Sequence, residues 1–438
     1  MSAAEHIVVV LTGQFGAGCT TVGEYLREEE GFKYYRLSAV IEKAAKKSLG
    51  AAIYDQLRPV ERRKVLQDQG NLLREAQPDT IAKRIIADIE ERGDAGADVV
   101  VEAMRNPAEI QALREAFGDS VFVVALDTPL TARFERSRRD YGDDLERFKR
   151  DDARDKGEDE PEHGQRTQEC VYLADISINN HAQLASSSEW DRFFTRIRKH
   201  LRLMREPACR RPTYEELYMR QAYATSLKSP CTKRQVGAVL VRESGPEERG
   251  ESTSAEQEDE GRESYVIATG FNDVPIGEVA CREKGPRGDP RFCPKDDEEE
   301  HKLRAMRYCP GCGTQLSVPS GKITTFACPE CGARLPRDFV PGRMLDTCRA
   351  VHAEEAAIVQ AAKLGSTAVR GATLYSTTFP CLLCAKTIIN AGIKRVVYHE
   401  PYPMDDTVTM LRRCDITLDK YEGVNAWAFD RMFKGTLD

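Results

Sequence analysis

Two short runs constrain this chain more than anything else in it. His352-Ala353-Glu354 opens one helix-like stretch, and Pro380-Cys381-Leu382-Leu383-Cys384 opens another after a strand-like run. The residue types fit a single metal ion. One imidazole and two thiolates fill three of the four tetrahedral positions of zinc and leave the fourth for water. Such a metal lowers the pKa of that water, so hydroxide becomes available near neutral pH. Glu354 lies two residues beyond His352, need not touch the metal, and is placed to shuttle a proton. The plainer reading of the same residues is a four-ligand structural zinc with Glu354 on the surface.

A second set, Cys309-Pro310-Gly311-Cys312 and Cys328-Pro329-Glu330-Cys331, has the C-x2-C-x15-C-x2-C spacing of a zinc ribbon. Gly313 and Gly332 follow the second cysteine of each pair and permit the tight turn around a metal. Four thiolates leave no open position, so this zinc is expected to be structural. Few basic residues lie in the ribbon, which favours stability or subunit contact over oligonucleotide binding. Cys231, Cys281, Cys293, Cys348 and His301 are dispersed; two or three of them converge on a third zinc, or they are isolated buried thiols. The chain has 14 cysteines, crowded between Cys281 and Cys384 and several in C-x-x-C pairs. That usage points to metal sites in a reducing compartment rather than to disulfides. Cys170, Cys209 and Cys414 have no such neighbours and read as inert.

Near the start, the apolar run IVVVL (7–11) leads into Gly13-Gln14-Phe15-Gly16-Ala17-Gly18-Cys19-Thr20-Thr21. Gly13, Gly18 and Thr20 match the G-x-x-x-x-G-K-[ST] phosphate loop, but Cys19 stands where the lysine belongs. Backbone N–H groups around Gly16 and at the following helix start still favour an anion, and Thr20 and Thr21 keep the hydroxyls. A cysteine is too short and uncharged when protonated, so transition-state stabilisation is weakened. The expectation is a regulatory site for ATP or another nucleoside triphosphate with Mg2+, with little or no kinase activity. The alternative is a decayed loop with no ligand.

Residues 1–205 read as a parallel sheet covered by helices, with further strands at 98–104 and 120–127. The charge-rich segment 140–168 reads as a mobile lid or surface loop. A proline-bearing join at 202–212 leads to a second α/β domain, 206–438, with strands at 235–241, 264–271, 371–379 and 394–400. Two insertions interrupt it, an acidic one expected to be disordered (243–263) and the ribbon (281–346). The 438 residues carry a net charge of −7, which gives no global attraction to nucleic acid. No apolar run approaches the ~20 residues needed to span a bilayer. The start lacks a basic segment and a cleavage site, so a cytoplasmic protein without membrane partners is expected.

The H-x-E … P-C-x-x-C pattern is the signature of zinc nucleobase deaminases. The segments SPCTKRQVGAVLV, IATGFNDVPIGEVAC, CRAVHAEEAAI and GATLYSTTFPCLLCAKTIINAGIKRVVY resemble deoxycytidylate deaminases in order and spacing. With its nucleotide-kinase-like front half, the chain resembles the bacterial anti-phage dCTP deaminases, which join a P-loop domain to a deoxycytidylate-type deaminase. The resemblance implies a P-loop kinase-like α/β domain followed by a cytidine deaminase-like α/β domain with a zinc-ribbon insertion. It implies zinc on His352, Cys381 and Cys384, Glu354 as proton shuttle, Asn272 against the sugar, and Lys233 and Arg234 as candidates for phosphate contact. Cys231 and Cys281 match cysteines that hold an extra zinc in some phage relatives. Glu102 is a candidate for magnesium, and Arg133, Arg136, Arg138 and Arg139 for phosphates, or else for a solvated helix face.

The implied activity is zinc-dependent conversion of deoxycytidine nucleotides, dCTP or dCMP, to deoxyuridine nucleotides, depleting dCTP in antiviral defence. Deoxycytidylate deaminases commonly read HAE-x-N-A; Ala356 replaces the asparagine here and leaves room for a triphosphate. Housekeeping dCMP deamination and a nucleic-acid deaminase or binding module are the alternatives. Expected partners are a regulatory nucleotide, further copies of the chain in a homo-oligomer, and a regulatory RNA or phage-triggered activator.

Overall fold

The computed structural model describes residues 6–158, 160–181, 187–244, 263–283, 293, 295, 309, 312–314, 328, 330–332, 348–401 and 405–434. They divide into two compact units, Met1–Glu216 with Tyr421–Asp438, and Leu217–Lys420.

The sheet of the first unit is built from β1 (Val8–Thr12), β2 (Lys33–Arg36), β3 (Val99–Met104), β4 (Val121–Asp127) and β5 (Ile176–Asn179). These lie parallel in the order β2-β3-β1-β4-β5. Val9 and Leu11 of β1 pack into one apolar cluster with Val22, Leu26, Ile197 and Leu201. Val8 and Val10 enter a second with Ile81, Ile85, Ile110 and Leu113. Side chains alternate across a strand, so a central strand buried on both faces has no polar position, which explains IVVVL. The glycine loop leaves the C-terminal end of β1, between β3 and β4, where open α/β sheets bind their ligands.

Two expectations are corrected here. The segment 140–168 is not a loose lid: it contains the helix Leu145–Lys156, in which Phe148, Asp152 and Asp155 are buried. Two of its carboxylates, Asp152 and Asp155, are buried against Arg133 and Arg105, an arrangement composition does not reveal. The C-terminal segment, placed with the second domain from linear order, belongs to the first unit. There β11 (Gly423–Val424) pairs antiparallel with β5. Asn425 Nδ2 and Trp427 Nε1 both donate to Ala174 O, at 2.7 and 2.8 Å, and fasten the segment.

The second unit has a sheet of β6 (Gly237–Ser244), β7 (Glu263–Phe271), β8 (Thr373–Thr378), β9 (Arg395–Glu400) and β10 (Thr417–Lys420) in the order β10-β9-β8-β6-β7. β8, β9 and β10 are parallel, and β6 is antiparallel to both β7 and β8. The β6–β7 ladder runs out to Ser244 and Glu263, where the acidic insertion enters; residues 245–262 lie outside the described residues. The helices Ala353–Lys363 and Leu382–Asn390 share one apolar cluster with the sheet, through Ala353, Ala357, Ala361, Ala385 and Ile388 against Leu240, Leu374 and Val396.

Alanines on that helix allow very close packing. A Cβ on Gly270 would lie 2.1 Å from Ala353 O and 2.4 Å from Ala357 N. Gly270→Ala should therefore lower stability by about 1–3 kcal/mol, the usual cost of overpacking. It should also disturb metal retention, because the displaced helix carries Glu354. Denaturant midpoints and zinc content check both effects. Among the described residues no helix is long and apolar enough to cross a membrane.

Candidate active site and nucleotide cavity

His352 and Cys381 are the N-cap residues of the helices Ala353–Lys363 and Leu382–Asn390. Two helix N-termini, which favour negative charge, thus begin at one point. His352 Nδ1 lies 3.3 Å from both Cys381 Sγ and Cys384 Sγ. The three donor atoms all fall within 4.8 Å of one another. That separation suits a tetrahedral ion with bonds of about 2.0 Å to nitrogen and 2.3 Å to sulfur, so the residues fit zinc. Hydrogen bonding to Cys384 draws the Cys381 thiol down to about 4, while hydrogen bonding to Cys381 and burial push Cys384 up. Thiols must lose their protons to bind a metal, so metal affinity should fall as the pH drops.

Glu354 sits beside this cluster. Its side chain is buried, with Oε2 3.6 Å from Cys384 Sγ and Oε1 accepting from Ser376 Oγ at 3.5 Å. Burial raises its pKa above the ordinary carboxylate value, which suits a group that must both take and give a proton.

The ribbon cysteines also meet. Cys309, Cys312, Cys328 and Cys331 form a second set within 4.8 Å, with Cys309–Cys331 at 3.5 Å and Cys312–Cys328 at 3.6 Å between sulfurs. The two knuckles repeat one geometry. Gly313 N donates to Cys309 O and Gly332 N to Cys328 O, both at 2.8 Å. Both glycines have left-handed φ, 71° and 68°. Among the described residues Cys231 and Cys281 join no such cluster. Burial and the nearby Cys231, Cys348 and Cys293 push the Cys281 thiol up. A hydrogen bond to the His352 ring holds the Cys348 thiol below its ordinary value. His301 lies outside the described residues.

In the first unit, the glycine loop borders a cavity of about 750 Å³ lined by Gly13 through Thr21 with Arg63, Glu102, Arg105, Arg136, Asn180 and Trp190. Cys19 opens the helix Cys19–Glu28, whose first turn has no side-chain cap. Burial, reinforced by the Glu102 carboxylate, pushes its thiol up to about 12, so it stays uncharged. Thr20 Oγ1 donates to Glu102 Oε1 at 2.5 Å, and Tyr34 donates to the other oxygen. After Glu102 the β1–β3 register shifts, and Ala103 takes a left-handed φ of 69°. Such a kink turns a strand end toward a site. Arg136 reaches Gly16 O at 3.1 Å and Asn180 O at 2.9 Å beside the loop. Arg133 does not face the cavity: it is buried against Asp152, Thr128 O and Phe15 O. Arg138 pairs with Glu135 and Asp143 at the surface, and Arg139 is exposed.

A family profile, "Cytidine and deoxycytidylate deaminase zinc-binding region", matches residues 212–400. The deoxycytidylate deaminase of Enterobacteria phage T4 is 31% identical over 189 residues, covering 41% of this chain and 75% of that protein. The chain belongs to the cytidine and deoxycytidylate deaminase family. The deoxycytidylate deaminase of Schizosaccharomyces pombe is 30% identical over 214 residues, covering 48% of this chain and 45% of that protein. The chain thus spans about half the length of the yeast relatives it matches (45% and 46%). In its N-terminal part it is similar to a UPF0200 protein of Saccharolobus islandicus, 30% identical over 178 residues, covering 40% of this chain and 84% of that one.

Within this deaminase-family chain, Asn272 lies next in sequence to Asp273, which bridges to Val351, the residue before His352. Its amide is engaged: Oδ1 accepts from Val236 N at 2.7 Å and Nδ2 donates to Arg234 O at 2.9 Å. Asn272 therefore holds the Arg234–Val236 backbone beside the site. Arg234 itself pairs with Glu400 at 2.9 Å. Arg63, Arg105, Asn180 and Trp190 were not found from sequence. They reach the cavity from four separate segments, with no spacing that links them to the loop.

Proposed function

We propose that the protein deaminates deoxycytidine nucleotides, dCTP or dCMP, to deoxyuridine nucleotides, with dCTP depletion in antiviral defence as its role. The observation that carries the chemistry is the buried Glu354 carboxylate set against the His352, Cys381 and Cys384 donors. Zinc held by His352, Cys381 and Cys384 would supply the acidity that makes water a nucleophile near neutral pH. Glu354 carries one proton of the attacking water to the ring nitrogen as the C–O bond forms. It then carries the second, from the new hydroxyl, to the exocyclic amine; the C–N bond breaks, ammonia departs and the oxygen is left as the carbonyl. Burial of Glu354 excludes bulk water from that relay.

The glycine-loop cavity is read as a nucleotide site that controls rather than performs chemistry. Support comes from the loop and from Arg63, Arg105 and Arg136 in its lining on one side and, on the other, from the neutral Cys19 thiol in the lysine position. The ribbon cysteines are assigned to a structural zinc, and Cys231 and Cys281 to a third that would need them to close together. Purified full-length protein should be incubated with dCMP, dCTP, cytidine and a cytosine-bearing oligonucleotide. Release of ammonia from dCTP, with or ahead of dCMP, is the expected result. Turnover confined to dCMP would favour the housekeeping reading, which the T4 and yeast relatives' names also fit. Turnover confined to the oligonucleotide would overturn the nucleotide reading.

A further inference from the structure

We infer that the Asp155 carboxylate takes the partners an outer phosphate would use at the glycine loop, so that the cavity takes a nucleoside diphosphate in preference to a triphosphate. The inference rests on reading that cavity as a nucleotide site, and it reverses the triphosphate expected from the loop sequence.

The loop's backbone donors are not all open. Phe15 N donates to Asp155 Oδ2 at 3.1 Å, and Ala17 N is taken by Gln14 O at 3.0 Å. Asp155 Oδ1 meets Arg105, one of the cations that line the cavity. The carboxylate thus holds one N–H of the anion cradle and one neighbouring guanidinium, the two kinds of partner a terminal phosphate requires.

Asp155 is fixed in place. It is 2% exposed and lies three residues beyond Asp152 on the helix Leu145–Lys156, and Asp152 is held by Arg133 and Lys156. Arg133 in turn donates to Phe15 O at 3.2 Å. The Phe15 ring packs on Phe148 of the same helix with centroids 4.7 Å apart and on Tyr141 at 6.1 Å, and Arg63 stacks over it at 3.8 Å. The helix therefore grips Phe15 at its N–H and its ring, and through Arg133 at its carbonyl.

Charge counts the same way. Glu102 and Asp155 both act on Cys19, where a lysine would have opposed them; Arg105 is the cation that does. A third phosphate at the loop competes with the Asp155 carboxylate for Phe15 N–H and Arg105, which line the cavity as Asp155 itself does not. Phosphates bound deeper, at the uncapped start of the Cys19–Glu28 helix, do not.

Isothermal titration of the full-length chain with ADP, ATP, GDP and GTP in the presence of Mg2+ tests this. The natural chain should bind at least one diphosphate about tenfold or more tightly than its triphosphate, since like charges at such range repel strongly in a partly buried site. Asp155→Asn keeps an acceptor for Phe15 N–H and removes the charge, and should bring the two within about threefold. Gly18→Val should abolish binding of both, because a Cβ there would lie 2.6 Å from Asn180 Nδ2 at a φ of +109°. Equal or tighter triphosphate binding by the natural chain overturns the inference and leaves the nucleotide site standing. An unchanged ratio in folded Asp155→Asn overturns the role of Asp155; if that variant does not fold, the natural chain's ratio decides alone. Binding that survives Gly18→Val, or no binding of any of the four nucleotides, overturns the nucleotide site and the inference with it.

Discussion

Glu354→Gln is expected to keep its zinc and to lose deamination by roughly 10²–10⁴-fold, the range general acid–base catalysis contributes. The amide preserves the shape of the buried carboxylate and can still accept from Ser376 Oγ. It cannot take a proton from water and hand it on. His352→Ala should behave differently, losing metal and activity together, because His352 Nδ1 is a donor of the cluster. Measuring zinc content and turnover on the same preparations separates a shuttle from a ligand. Near-natural turnover in Glu354→Gln, or its loss of zinc, would sink the assignment.

The second large effect belongs to the ribbon. Fully metallated protein should contain at least two zinc ions per chain, one in each donor set. Cys328→Ser combined with Cys331→Ser should remove one of them. Structural zinc sites contribute on the order of 10–16 kcal/mol of apparent binding energy, which is folding energy for the segment they close. The double variant should therefore become sensitive to proteolysis around residues 309–332. The catalytic set uses none of these cysteines, so its zinc should stay. A natural chain that holds a single zinc would refute the ribbon, and a double variant that still holds two would place the second ion elsewhere.

The meeting of His352, Cys381 and Cys384 beside Glu354 was legible in the sequence because zinc chemistry requires particular residue types at short, fixed spacing. A helix start brings Cys381 and Cys384 together whatever surrounds them. The strands β1, β3 and β4 were legible for a similar reason, since buried parallel strands are uninterrupted apolar runs. Gly18 could likewise be read in the loop by itself.

Other features depend on residues that meet only in space. Asp155 reads as one more charge in a charge-rich stretch; its burial beside Arg105 and Phe15 N comes from how the Leu145–Lys156 helix packs. Arg133 reads as a phosphate contact or a solvated cation until Asp152 is found against it. Gly423 and Val424 are too few to show a strand period, so sequence order alone put them in the wrong domain. Asn272 could be singled out from the sequence, but its bonds to Arg234 O and Val236 N could not. Local chemistry is written in residue type and spacing along the chain. Charge pairing, sheet order and the partner of each polar group depend on which distant segments the core brings into contact, and only the tertiary structure decided those.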